Sequence, residues 1–198
     1  MKKEKIQKEA EANVPTDWGV FRMIAYRSPV SDYSPDFALV HPEVDTESIV
    51  TLRIHSECIT GDLFHSLRCD CGKQLDAALK RVQKDKGILI YLRQEGRGIG
   101  IINKLKAYNK QDEGMDTVEA NNALGFKSDY RSYKKALEIL EDLGISRVRL
   151  LTNNPDKIGA FDDSKIKIFS RISLEIEADK NNEKYLKTKK ESMGHYLK

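Results

Sequence analysis

Residues 74–108 have the sequence QLDAALKRVQKDKGILIYLRQEGRGIGIINKLKAY, which contains the clearest secondary-structure signals of the chain. Apolar residues recur with helical spacing from Gln74 to Val82, and Gly87 follows as a residue that commonly ends helices. The continuous apolar run Ile88–Leu92 then predicts a buried strand, and Ile101–Tyr108 again has a helical pattern. This succession of helix, strand and helix is typical of an α/β protein.

The segments on both sides of this stretch extend the same pattern. Three strands are predicted before it, and a helix, a strand and a short helix after it: Val20–Ala25, Phe37–Val40, Ile49–Ile54, Tyr130–Leu143, Val148–Thr152 and Pro155–Phe161. We therefore predict a mixed α/β (α+β) fold with a strand-rich N-terminal part and alternating strands and helices in the C-terminal part. A chain of 198 residues can build one sizeable core, so we predict a single domain over residues 1–198, with the charged segment 1–14 poorly ordered.

The composition excludes several classes of protein. The 34 basic and 31 acidic residues leave a net charge of only +3, which does not favour nucleic-acid binding. No apolar run is long enough to span a bilayer, and the charged N-terminus has no apolar stretch behind it, so neither a membrane segment nor a secretory signal is expected. The odd number of cysteines, three, indicates a reducing compartment, and we expect a cytoplasmic protein.

All three cysteines, Cys58, Cys69 and Cys71, lie in one short segment. Because Cys69 and Cys71 are two residues apart, an extended loop would direct both thiols to one side, where a turn could bring Cys58 to join them. Zn²⁺ prefers thiolate ligands in a tetrahedron, and three protein ligands leave a fourth position for water or substrate, as in catalytic sites. Two alternatives remain open: a structural zinc site with His55 or His65 as the fourth ligand, and buried free thiols without metal.

A glycine-rich turn, Gln94–Gly100, joins the predicted strand to the helical pattern that begins at Ile101. Its glycines would let backbone N–H groups approach an anion at the helix start, where Arg97 could contact phosphate oxygens. The turn is neither a Walker A loop nor a complete G-x-G-x-x-G fingerprint. A phosphate site and a simple tight turn therefore both remain open.

Several motifs resemble those of one enzyme family and follow in the same order. They begin around the cysteines and continue toward the C-terminus: His55–Asp62, Ser66–Gly72, Gln74–Leu75, Arg93–Arg97, Asp116–Asn121, Leu124–Phe126, Leu150–Pro155, Asn181–Leu186 and Met193–His195. With these motifs the chain resembles GTP cyclohydrolase II, the enzyme that opens riboflavin biosynthesis. The resemblance runs from roughly Pro15 to the C-terminus, and several ordered motifs make chance similarity improbable.

The resemblance implies a hydrolase that acts on cyclic amidine C–N bonds. It would convert GTP to 2,5-diamino-6-(5-phosphoribosylamino)pyrimidin-4(3H)-one, with release of formate and pyrophosphate. Cys58, Cys69 and Cys71 match the family's zinc ligands, and hydroxide generated at the zinc would open the guanine imidazole ring at C8. Mg²⁺ is expected with the GTP phosphates. The family also suggests a homodimer.

Many relatives carry a second enzyme, dihydroxybutanone phosphate synthase, upstream of the cyclohydrolase. The cyclohydrolase motifs of this chain begin close to its N-terminus. We therefore expect it to be monofunctional.

The same resemblance assigns roles to residues other than the cysteines. Asp129 and Arg131, at the start of the helical pattern Tyr130–Leu143, match the family's proton acceptor and nucleophile, and Tyr108 matches an active-site tyrosine. Because an arginine guanidinium stays protonated, clamping phosphate is an alternative role for Arg131. The family's substrate-binding positions fall on Arg53, Ile54, His55, Ser56, Glu57, Gln74, Glu95, Gly96, Arg97, Thr117, Thr152 and Lys157.

Two functions of other classes remain as alternatives. The triplet His55-Ser56-Glu57 matches half of the zinc nucleobase deaminase signature, but the P-C-x-x-C half is missing. A deaminase would release ammonia rather than formate. A non-catalytic, zinc-stapled binding module would need zinc for folding and would not turn over GTP.

Overall fold

The computed structural model describes residues 6–27, 34–127, 129–176, 190 and 194–196. The motif residues 181–186 and 193 lie outside this described part of the chain. In chain order, the described residues form β1 (Gln7–Thr16), β2 (Gly19–Arg27), β3 (Asp36–Val40), β4 (Val50–Ser56), α1 (Ile59–Asp62), α2 (Cys71–Lys84), β5 (Ile88–Leu92), a 3₁₀ turn (Glu95–Gly98), α3 (Gly100–Asp112), α4 (Thr117–Ala123), α5 (Lys134–Asp142), β6 (Arg147–Leu151), α6 (Pro155–Gly159) and β7 (Lys167–Ile172).

The chain divides into two compact units, each built from separate segments of sequence. Unit one takes its residues from Met1–His55, Leu75–Arg93 and Tyr133–Leu174, and unit two from Ser56–Gln74, Gln94–Ser132 and Glu175–Lys198. Unit one contains the sheet, with α5 and most of α2. Unit two contains α1, the first turn of α2, the 3₁₀ turn, α3 and α4.

The seven strands form one mixed sheet in the order β1-β2-β3-β5-β4-β6-β7. The strands β1, β2, β3 and β5 pair antiparallel, whereas β4, β6 and β7 pair parallel. The parallel pairs follow from the helical crossovers in the second half of the chain, since parallel strands need a long connection between them.

Side chains of the sheet alternate between two apolar clusters, one on each face. Along β5, Ile88, Ile90 and Leu92 belong to the larger cluster with Ile139 and other residues of α5. Leu89, which lies between them in sequence, belongs to the smaller cluster with the helix α2. This period of two along a strand buried on both faces explains the continuous apolar run in the sequence.

The structure confirms the predicted mixed α/β fold and differs from the sequence expectations in two places. Residues 7–14 were expected to be poorly ordered, but they belong to β1, which pairs antiparallel with β2. Most side chains of β1 are exposed, so this strand has no apolar alternation that the sequence could reveal. The single domain stays a prediction.

The second difference concerns the helix predicted from Tyr130, which begins only at Lys134. The carboxylate of Asp129 accepts a hydrogen bond from the backbone N–H of Arg131 at 2.8 Å. A turn of this kind offers the backbone a partner that competes with the helix.

None of the helices formed by the described residues is long and apolar enough to cross a membrane.

Candidate active site

The three thiols converge in unit two. Cys58 directly precedes α1, Cys69 lies two residues before α2, and Cys71 is the first residue of α2. The sulfur atoms lie within 4.8 Å of one another, and those of Cys58 and Cys69 are 3.6 Å apart. A tetrahedral zinc with bonds of about 2.3 Å would separate its sulfur ligands by about 3.8 Å, so the cluster fits this metal. The thiols converge because Cys71 starts a helix, not through the extended loop that we expected.

Two glycines let the segments that carry the thiols approach each other closely. A Cβ atom at Gly61 would lie 2.9 Å from the sulfur of Cys69 and 3.2 Å from that of Cys58. A Cβ atom at Gly72 would lie only 2.3 Å from the carbonyl oxygen of Gly61. Side chains at either position would therefore separate α1 from the start of α2 and open the thiol cluster.

The sequence left open a fourth ligand from histidine. Among the described residues, the group able to hold a metal consists of the three cysteines, and neither His55 nor His65 belongs to it. Three ligands leave one coordination position open, which is the arrangement of catalytic rather than structural zinc.

A buried ion pair lies against the thiol cluster. The ammonium group of Lys104, on α3, donates to the sulfur of Cys58 at 3.1 Å and to Oε1 of Glu95 at 2.8 Å. The side chains of Lys104 and Glu95 are only 12% and 7% exposed. Glu95 is held in turn by the backbone N–H groups of Ile59 and Gly96, each at 2.6 Å.

These contacts shift the ionisation of the groups around the cluster. Hydrogen bonds from the thiols of Cys69 and Cys71, together with the charge of Lys104, hold the pKa of Cys58 far below its usual value. The pKa of Cys69 is raised to about 11, first because its thiol donates to Cys58. Burial opposes the charge of Lys104, but the Cys58 thiolate and Glu95 raise its pKa above the usual value. The ammonium group of Lys104 therefore favours negative charge on the sulfur of Cys58.

The glycine-rich turn has an unusual backbone conformation. Gly96, Arg97 and Gly98 all have positive φ angles, of 62°, 57° and 89°. Such angles are uncommon for a residue with a side chain such as Arg97, and they concentrate at functional sites. The carbonyl oxygen of Arg97 accepts from the backbone N–H of Tyr130 at 3.0 Å, so the turn holds the segment that precedes α5.

Asp129 and Arg131 form a tight pair within that segment. Both carboxylate oxygens of Asp129 accept hydrogen bonds from the Arg131 guanidinium, at 2.5 to 3.0 Å. Burial acts to raise the pKa of Asp129, but the hydrogen bonds and charge of Arg131 outweigh it and lower that pKa. Gln94 supports the segment, since its side chain accepts from the N–H of Ser132 at 3.2 Å and donates to the Ser56 hydroxyl at 2.8 Å.

Tyr108 lies four residues after Lys104 on the same face of α3. Its hydroxyl is 3.4 Å from that of Thr60, and the guanidinium of Arg68 lies over its ring at 4.9 Å. Arg68 is itself held by Asp112, at 2.7 and 2.8 Å. Burial raises the pKa of Tyr108, although the charge of Lys104 opposes this shift. The phenol is therefore protonated at neutral pH and can donate a hydrogen bond.

These residues line one pocket of unit two, with an empty volume of about 710 Å³ that includes space open to solvent. Ten of the residues predicted from sequence line it: Ser56, Glu57, Cys58, Cys69, Cys71, Glu95, Gly96, Arg97, Tyr108 and Arg131, and Thr117 adds an eleventh from the start of α4. Asp129 contributes by holding Arg131.

The remaining predicted residues have other surroundings. Gln74 belongs to unit two, where its side chain donates to Asp70 at 2.5 Å. The others belong to unit one, in and near β4 and α6: Arg53, Ile54, His55, Thr152 and Lys157. Within that unit, Arg53 donates to the carbonyl of Leu151 at 3.0 Å, and Lys157 donates to the carbonyl of Ile54 at 2.7 Å.

Sequence reasoning missed several residues of the pocket, among them Arg68, Gln94, Lys104 and Asn121. Each of them had a signal that could have found it. Lys104 precedes Tyr108 by four residues in a predicted helix, and residues at this spacing lie on the same face. Arg68, Gln94 and Asn121 lie within motifs shared with the family, but no role was assigned to them.

Fold and site together define a mixed α/β protein with a cluster of three thiols, suited to a metal ion, in a polar pocket. The chain belongs to the GTP cyclohydrolase II family, whose model matches residues 7–173.

Curated relatives agree with this assignment. GTP cyclohydrolase-2 from Haemophilus influenzae is 48% identical over 98% of this chain and 90% of its own length. Riboflavin biosynthesis protein RibBA from Chlorobium phaeovibrioides is 51% identical over 97% of this chain, which spans only 47% of that relative. Among solved structures, RibBX from A. baumannii, a two-domain 3,4-dihydroxy-2-butanone 4-phosphate synthase, aligns over 86% of this chain and 41% of its own chain. The sequence identity is 17% and the TM-score is 0.48, which is too low to show a shared fold. The family assignment leaves no support for the deaminase or the binding module.

Proposed function

We propose that this protein hydrolyses GTP as a GTP cyclohydrolase II. The reaction opens the imidazole ring of guanine at C8 with release of formate, and it cleaves pyrophosphate from the triphosphate. Support comes from the family match and from the close relative that carries this name. The product would be the pyrimidinone nucleotide that begins riboflavin biosynthesis.

One observation carries this proposal: the three thiols share a pocket with Tyr108, Arg97 and Arg131. Cys58, Cys69 and Cys71 would hold Zn²⁺, which supplies Lewis acidity for hydrolysis at C8 when it is bound. The same pocket thus offers groups suited to both parts of the reaction, the release of C8 as formate and the cleavage of pyrophosphate.

The protein's own side chains would divide the remaining tasks. Arg97 and Arg131 offer guanidinium groups, which suit phosphate oxygens because they donate several hydrogen bonds in a fixed plane. The half-buried phenol of Tyr108 would donate a hydrogen bond or a proton next to the thiol cluster.

For Arg131 the geometry favours a charge clamp over a nucleophile. Its guanidinium is hydrogen-bonded to Asp129, whose pKa is lowered. A carboxylate with a low pKa is a weak base, and an arginine guanidinium is very hard to deprotonate. We therefore assign Asp129 the task of orienting Arg131 toward the phosphates.

Several parts of the proposal go beyond the pocket. We propose that the other positions implied by the family resemblance also contribute to GTP binding, and that Mg²⁺ accompanies the phosphates. These positions are Gln74, Arg53, Ile54, His55, Thr152 and Lys157. We further propose a homodimer in the cytoplasm, with the whole chain acting as one cyclohydrolase domain.

The test is a product analysis of the zinc-loaded protein with GTP and Mg²⁺, beside a chelator-treated sample. We expect formate, pyrophosphate and the pyrimidinone nucleotide together, with all three absent after chelation. Release of ammonia would instead indicate deamination. Intact GTP in a sample with confirmed zinc would overturn the proposed activity while leaving the metal site in place.

A further inference from the structure

Lys104 holds a position that the proposed reaction does not yet use. Its side chain is only 12% exposed, and one of its two hydrogen bonds goes to the sulfur of Cys58 at 3.1 Å. Burying a charged group is costly unless it is paired and hydrogen-bonded, so the fold must hold this ammonium firmly. Exposed lysines on the same helix, such as Lys106, carry no such constraint.

The thiol cluster provides a reason for a buried cation. Zn²⁺ with three thiolate ligands has a formal charge of −1, and a low-dielectric pocket makes this excess charge unfavourable. A hydrogen bond from an ammonium group withdraws charge from the sulfur that accepts it. Residues that hydrogen-bond to metal ligands in this way orient the ligands and tune the metal.

The surroundings of Lys104 fix the direction of its hydrogen bond. Glu95 accepts from Lys104 with one carboxylate oxygen, while the N–H groups of Ile59 and Gly96 hold the carboxylate in place. Ile59 directly follows Cys58, so the same carboxylate anchors both the ammonium group and the start of α1. The pair therefore keeps the donor and the sulfur at a set distance.

We propose that Lys104 is a positioning residue of the metal site, which holds the Cys58 thiolate by a charge-assisted hydrogen bond and offsets the negative charge of the three-thiolate cluster. Glu95 orients Lys104 for this role. The inference rests on the proposed metal site but not on the identity of the substrate. A purely structural ion pair between Lys104 and Glu95 would affect folding stability and leave metal binding unchanged.

The experiment compares metal binding in the full chain and three variants. Lys104→Met removes the charge and the donor, Lys104→Gln keeps an N–H donor without charge, and Lys106→Met is a matched control on the exposed face of α3. Zinc affinity is measured by competition with a chromophoric chelator. The absorption of the cobalt-substituted proteins reports the energy of the thiolate-to-cobalt charge-transfer band, and circular dichroism verifies the fold.

We expect Lys104→Met to lose about tenfold to a hundredfold in zinc affinity. Its charge-transfer band should move to lower energy, because the sulfur loses a donor that stabilises its electrons. Lys104→Gln should fall between wild type and Lys104→Met, and Lys106→Met should match wild type.

Unchanged affinity and an unchanged band in either folded Lys104 variant would overturn the role of Lys104. Failure of the wild type to bind zinc or cobalt would overturn the metal site and this inference together. Loss of GTP turnover with intact metal binding would affect the proposed reaction alone.

Discussion

The side chains buried in the sheet of unit one are apolar, whereas those buried in the pocket of unit two include charged groups and thiols. Ile88, Leu89 and Ile90 on β5 are fully buried among other apolar groups, in a regular strand. In the pocket, the buried groups include an ammonium, a carboxylate and thiols, held by hydrogen bonds and by backbone with positive φ angles. Apolar burial stabilises the fold, whereas buried polar groups are costly and persist where they position chemistry.

This contrast predicts that substitutions in the pocket and in the sheet have separable effects. The largest effect is expected for Cys69→Ser, which removes one of three metal ligands. We expect stoichiometric zinc binding and GTP turnover to be lost while the circular dichroism spectrum is retained, because an open catalytic site is not required for folding. Metal content and formate release measure the loss.

Leu67→Ser is the control for this experiment, since Leu67 is 54% exposed in the same loop. It should bind zinc as the wild type does. If Cys69→Ser unfolds globally instead, the metal has a structural role and the contrast between the two regions breaks down.

A substitution in the sheet is expected to lower stability and to leave metal binding unchanged. Ile90→Ala removes a fully buried side chain from the larger apolar cluster. We expect a loss of about 2–5 kcal/mol in the free energy of unfolding, measured by urea denaturation. Zinc affinity of the folded variant should not change.

Val20→Ala on β2 is the matched control, because Val20 is 43% exposed and its truncation leaves no cavity in the core. A change in zinc affinity of folded Ile90→Ala would show that the sheet and the pocket are energetically linked.

A smaller effect is expected where the glycine-rich turn approaches the Asp129–Arg131 segment. A Cβ atom at Gly98 would lie 2.9 Å from the Cβ of Tyr130. Gly98→Ala should therefore displace Arg131 and lower kcat by roughly tenfold to a hundredfold, since small misplacements of catalytic groups are costly. Steady-state kinetics measure this.

Gly144→Ala is the control that separates the effect of backbone strain from the effect of displacing Arg131. Gly144 also has a positive φ, of 72°, but a Cβ atom there would meet nothing within 4 Å. It should lose some stability and keep kcat. Equal kinetic loss in both variants would contradict the positioning role of the turn.

The smallest expected effect is a change in the pH dependence of stability. Arg131 holds the pKa of Asp129 below its ordinary value. The pair therefore contributes stability above the unfolded pKa of about 3.9, and this contribution is lost as the pH falls through the lower folded pKa. Asp129→Asn should be less stable than wild type at neutral pH, and the difference should shrink in acid.

Thermal unfolding at a series of pH values measures this difference, with Asp163→Asn as the control because that carboxylate is exposed. A difference between wild type and Asp129→Asn that stays constant with pH would show that folding does not lower the pKa of Asp129.

Most of the fold could be predicted from sequence, because its signals are local. The continuous apolar run of β5 and the helical spacing in α2 fall within a short window of residues. The strand appears as predicted, and the helix extends the predicted Gln74–Val82 to Cys71–Lys84. The strand β1 was not predicted, because its side chains are exposed. The start of α5 was predicted too early in the chain, because the turn at Asp129 competes with the helix.

Sequence alone was enough to predict the helices and strands around residues 74–108, the three cysteines as candidate metal ligands, and the family. The three-dimensional arrangement was needed to show that Lys104 contacts Cys58, 46 residues away, and that the backbone of Arg97 holds Tyr130. Periodicity reports which face of an element is buried, but it carries no distance between segments. Those distances depend on backbone approach at glycines such as Gly61 and Gly98, where a single Cβ atom would keep the segments apart.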